Sequence, residues 1–74
     1  MKKEEIGKNA GILWRLLADK GMLSIRELGE NTSLNVLNMG MGLGWLSREN
    51  KVNFEEKDGM LYVELRSTPS DMYY

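Results

Sequence analysis

The sequence predicts an α+β fold, three helices followed by a small antiparallel β-hairpin. Three observations lead there. Residues 4–20 carry apolar side chains at helical spacing and run into Gly21. Residues 34–49 form a second stretch of helical length, closed by Asn50. Between 52 and 65, apolar and polar residues alternate around Asp58-Gly59, a dipeptide that favours a two-residue hairpin turn. A chain of 74 residues has room for one small domain.

In the first helix, "EEIGKNAGILWRLLADK", Ile6, Ala10, Leu13, Trp14 and Leu17 share one face, and Ile12 and Leu16 widen it. Glu4, Lys8, Arg15 and Asp19 take the opposite arc. Acid at the start and Lys20 at the end suit the helix dipole. Gly21 is a natural stop. Met22 and Leu23 form a short extended piece. Ser24 with Glu27 three residues on makes a capping box for a second helix, Ile25 to Asn31, with Ile25 and Leu28 turned inward.

"NTS" is a tight turn in which Ser33 or Thr32 can cap the third helix, expected from Leu34 to Glu49. Asn50 tolerates the left-handed conformation that follows a helix. In the hairpin, pairing Lys57 with Met60 sets Phe54 opposite Val63 and Val52 opposite Leu65. Residues 67–74 read as a loose polar tail after a domain at 1–66, although Met72, Tyr73 and Tyr74 are apolar enough to dock on a groove.

Helix, short strand, helix, turn, helix and hairpin is the order of a winged helix-turn-helix, with Ile25, Leu28, Leu34, Leu43, Leu46 and Val52 as core. The segments "EEIGKNAGILWRLL", "GWLSRENKVNF" and "EKDGMLYVEL" resemble a family of very short bacterial winged-helix proteins of unknown function. The resemblance spans about residues 3–65. It implies the architecture and a homodimer, and no particular activity. Gly29 stands where such a motif usually has alanine.

"NMGMGLGWL", residues 38–46, poses a choice between a phosphate-cradling loop and a glycine-loaded helix. A dinucleotide fingerprint needs a third glycine where Trp45 stands, and a strand before it. A phosphate loop needs Gly-Lys-Ser/Thr, and no lysine occurs between 21 and 50. The segment is therefore read as helix. Three interior glycines cost about 1 kcal/mol each against alanine, so packing must hold it. At about 100° per residue, Val36, Met39, Leu43 and Leu46 fall on one face, with Leu34, Leu37, Met41 and Trp45 nearly opposite. Gly40 and Gly44 lie between.

Composition excludes more than it assigns. With no cysteine and no histidine, thiolate chemistry, disulfides and the usual zinc and general-base residues are absent. Lys plus Arg number 10 and Asp plus Glu 11, a net charge of −1 that is unsuited to a bulk polyanion binder. The N-terminus lacks the long apolar core of a signal peptide or membrane span, so a cytoplasmic protein is expected. Ser47 and Lys51, four apart, make a conceivable dyad, but so small a domain has little room for the desolvated pocket such a pair needs. No enzyme activity, cofactor, metal or small-molecule substrate is expected.

Two functions remain. The first is a homodimeric interaction or regulatory module, whose interface would comprise Leu37, Gly40, Met41, Gly44 and Trp45 with Ile12 and Leu16. The alternative reading of the same stripe folds Leu34 and Trp45 back onto the wing near Phe54. The second function is a DNA-binding transcription regulator that reads bases with helix 34–49, using Lys2, Lys3, Asn35, Asn38, Arg48 and Lys57. Charge disfavours it: Glu55, Glu56 and Asp58 surround Lys57 at the wing tip.

Overall fold

The computed structural model describes residues 2–66, and the tail expected at 67–74 lies outside them. The elements are α1 (Lys3–Lys20), β1 (Leu23–Ser24), α2 (Ile25–Asn31), α3 (Val36–Arg48), β2 (Val52–Lys57) and β3 (Met60–Leu65). The strands form one antiparallel sheet in the order β1-β3-β2. This is a winged helix-turn-helix, three helices with a hairpin wing. Leu23 pairs with Val63 and Ser24 with Tyr62, so the short extended piece read from the sequence is a third strand of the sheet.

Local chemistry closes each element. Gly21 ends α1 at φ 81°, where side chains are strained, and its N–H reaches the Leu17 carbonyl at 2.8 Å. Ser24 ends β1 and caps α2 at once. Its hydroxyl accepts from the Glu27 N–H at 3.0 Å, and its own N–H donates to the Glu27 carboxylate at 2.8 Å. Asn50 takes φ 58° after α3. Its N–H meets the Ser47 carbonyl at 3.0 Å, and the Lys51 N–H meets that of Leu46 at 2.9 Å. These two bonds make a Schellman motif that launches the chain into β2. Asp58 and Gly59, at φ 51° and 76°, make the hairpin turn. The register is Lys57 with Met60, Phe54 with Val63 and Val52 with Leu65.

The start of α3 differs from the sequence expectation. The helix begins at Val36, and its cap is Asn35, whose side-chain oxygen accepts from the Asn38 N–H at 2.8 Å. Thr32 serves α2 instead. Its hydroxyl donates to the Leu28 carbonyl at 2.9 Å and accepts from the Leu34 N–H at 3.3 Å. With Thr32 turned back, Ser33 and Leu34 lie in the connection, and Leu34 packs half-buried against the core.

That core is Ala10, Leu13 and Leu17 from α1, Leu23, Leu28, then Met39, Leu43 and Leu46 from α3, and Val52 and Val63 from the sheet. Among the described residues no buried side-chain nitrogen or oxygen lacks a partner. The tightest point is between α1 and α3. A Cβ on Gly42 would lie 2.8 Å from Leu13 Cδ1, 3.3 Å from the Ala10 nitrogen and 3.4 Å from the Asn9 carbonyl carbon. Gly40 and Gly44 face nothing within 4 Å. Of the glycines in this helix, Gly42 is therefore the one that lets two helices meet.

Gly42→Ala is expected to cost about 1–3 kcal/mol, because the clashing Leu13 side chain is fully buried and the Ala10 nitrogen is already tight at 3.3 Å. Gly29→Ala is expected to stabilise by up to about 1 kcal/mol, since its Cβ meets only Met39 Cε at 3.9 Å. Urea midpoints with unchanged slopes check both, and a Gly42→Ala variant as stable as the parent would contradict the packing account.

Candidate interaction surface

Helix α3 has to bury one side, and it uses Met39, Gly42, Leu43 and Leu46. Val36 was expected on that face. It is instead 82% exposed, because it opens the first turn and stands at the mouth of a groove rather than beneath the sheet. Leu37 is 65% exposed and Met41 42%. The outward side of α3 is thus apolar over its first two turns.

An open groove of about 440 Å³ runs between α3 and the hairpin. Val36, Gly40, Gly44 and Ser47 line it from the helix, with Met39 and Leu43 at its floor. Ile25 closes one end, and Phe54 and Leu61 supply the wing wall. The hairpin register explains the wall. Val52, Phe54 and Glu56 alternate onto one face of β2, opposite Leu65, Val63 and Leu61. Val52 and Val63 sink into the core, while Phe54 stays 43% exposed. None of the lining residues carries a charge. Glu56 shares the wing face with Phe54 and Leu61, and Glu55 and Asp58 are exposed at the tip. Lys57 lies on the other face of the hairpin, with Nζ 5.6 Å from the centre of the Tyr62 ring.

The residues read as one interface from the sequence divide in space. Gly40 and Gly44 line the wing groove with Val36. Leu37 and Met41 are exposed beside it. Trp45 turns the other way and lies half-buried beside Lys3, Glu4 and Gly7 of α1. It does not join Phe54 in the groove wall, so the expected fold-back of Trp45 onto the wing gives way to packing on α1. The physical reason is direction: Gly42 faces α1, and Trp45, three residues on, follows it. Ile12 is exposed and Leu16 is half-buried against the core. Sequence reasoning missed Val36, Phe54 and Leu61 as exposed surface. The alternation of β2 and β3 names the face that Phe54 and Leu61 share, but not whether α3 is long enough to cover it.

The basic and polar candidates also divide. Asn35 spends its side chain on the α3 cap, and Asn38 is half-buried. Lys3 and Arg48 come together around Trp45 at the other end of α3, in a shallow depression that includes Glu49. Lys2 is exposed at the start of α1, where its N–H donates to Glu5 Oε1 at 3.0 Å. From Asn35 to Arg48 the helix rises about 20 Å. Asn35 and Arg48 therefore stand at opposite ends of α3. Ser47 sits in the groove wall and Lys51 is half-buried in the loop beyond. Among the described residues no group of acidic side chains is placed to hold a metal ion, and no helix is long and apolar enough to cross a membrane.

Comparison with known proteins agrees with this architecture. Residues 1–65 match the family described as "Winged helix-turn-helix domain (DUF2582)". The solution NMR structure of protein BT2368 from Bacteroides thetaiotaomicron is similar, at 38% identity and a TM-score of 0.79. That match covers 88% of this chain and 79% of the other. No curated protein matches. Length, element order, hairpin register and family match converge: the chain belongs to the DUF2582 family of winged helix-turn-helix domains.

Proposed function

We propose that this domain is a non-enzymatic regulatory module that acts in the cytoplasm as a homodimer and works by binding protein. The observation that carries this is the apolar outward side of α3. A helix that reads bases presents Arg, Lys, Asn or Gln to the major groove. Here the same positions hold Val36, Leu37, Gly40, Met41 and Gly44. An exposed apolar face of this kind marks an association surface, because water gains by its removal.

The second copy is assigned to the flank of α3 that bears Leu37 and Met41. Trp45 lies beside Lys3 and Gly7, and Gly42 beside Asn9 and Leu13, so α1 runs antiparallel to α3. That direction carries Ile12 and Leu16 toward the Leu37 end of the helix. Leu37 and Met41 are exposed on this flank and Ile12 is exposed on α1, and these residues supply the apolar surface for an isologous contact.

DNA binding is the second reading, supported by the fold and by the meeting of Lys3 and Arg48 at the end of α3. Against it stand the net charge and the acidic wing tip.

Sedimentation equilibrium at micromolar concentration is expected to give twice 8.5 kDa. Leu37→Glu with Met41→Glu is expected to give a monomer with unchanged helical circular dichroism. A monomeric parent would sink the dimer. Amide shifts on adding mixed duplex DNA at low salt are expected to be absent. Shifts on residues 35–48 and the wing that added salt reverses would favour DNA binding instead.

A further inference from the structure

We infer that the groove between α3 and the wing takes a basic amphipathic segment of another protein, an apolar helix edge flanked by Lys or Arg. This rests on the reading of the domain as a protein-binding module, and it names the partner's chemistry.

The groove has the two ingredients such a segment needs. Its interior is apolar, formed by Val36, Gly40, Gly44, Phe54 and Leu61 over Met39 and Leu43. Apolar side chains spaced i, i+3, i+4 and i+7 on one helix edge suit an open trough of this kind. Gly40 and Gly44 lower the helix wall, because no side chain stands between the incoming segment and the α3 backbone.

The charge around that trough is one-sided. Glu56 shares the groove-facing side of the hairpin with Phe54 and Leu61. Asp58 is exposed at the hairpin turn, while Glu55 shares the far face of the hairpin with Lys57 and Tyr62. Lys57, the single cation between residues 52 and 65, lies on the other face over Tyr62. At the Ile25 end, Arg26 is within 3.4 Å of Glu30, an exposed pair that adds little net charge. Opposite charge on the partner steers the encounter, and an acidic or nucleic-acid partner would be repelled. An apolar floor with a carboxylate rim therefore selects Lys- or Arg-flanked apolar segments over acidic ones.

The test uses the isotopically labelled full chain and two synthetic peptides of about four helical turns. One places leucine on one helix edge and lysine elsewhere, and the other replaces every lysine by glutamate. The Leu/Lys peptide is expected to shift the amides of Ile25, Val36, Gly40, Gly44, Phe54 and Leu61, with binding that weakens as salt rises. Val36→Lys is expected to abolish it. Glu56→Gln with Asp58→Asn is expected to weaken it by about threefold or more, the scale of two exposed ion pairs. These three residues are exposed, so the variants test the surface rather than the fold.

Equal binding of the Leu/Glu peptide, shifts confined to other residues, or no shifts would each overturn the inference. Sedimentation of Val36→Lys separates the two proposals. A dimer that falls to monomer on this change means that a second copy occupies the groove, which overturns this inference and keeps self-association. A monomeric parent that still binds the Leu/Lys peptide in the groove does the reverse.

Discussion

The close approach of α3 to α1 at Gly42 governs the rest of the molecule. A Cβ at this position would lie 2.8 Å from Leu13 Cδ1 and close to the Ala10 and Asn9 backbone, so glycine suits this spacing and a larger residue must push Leu13 aside. Once α3 sits against α1 at that point, its rotation is set. Met39, Leu43 and Leu46 must face the core, and Val36, Leu37 and Met41 must face out. The hairpin follows from the other end of α3. The Asn50 and Lys51 bonds fix the exit direction, and Val52 and Val63 then close the core from the sheet side. A small domain has little stability in reserve, so one helix crossing carries a large share of the order.

The same crossing explains why α3 is apolar on two sides. Glycine at three interior positions lowers its intrinsic helicity, and packing on one face offsets that. The opposite face has no such duty in the isolated chain. Its apolar side chains leave a surface with few donors, while the wing brings carboxylates rather than cations. A winged helix therefore does not by itself argue for DNA, because function belongs to the side chains that the fold presents.

Much of the fold was legible in local chemistry. Ser24 with Glu27, Asn50 and Asp58-Gly59 each act over a few residues, and the structure uses all three as the sequence implies. The hairpin register follows from a two-residue turn and a period of two. The cap of α3 was not legible, because Thr32, Ser33 and Asn35 compete with similar chemistry. Thr32 is claimed by the Leu28 carbonyl, which is a matter of where α2 ends. Nor was the partner of β1 legible, since a two-residue strand carries no periodicity of its own.

The surface was legible only in outline. The sequence by itself determined that α3 carries apolar residues on opposing sides, that the wing tip is acidic, and that no histidine or cysteine is available. Tertiary structure alone decided which glycine is a contact and which are bare. It also decided that Trp45 packs beside α1, and that Val36, Phe54 and Leu61 share a groove. The reason is that periodicity reports which residues share a face. Which face meets which neighbour depends on helix crossing and element length, and these emerge only when the whole core is packed.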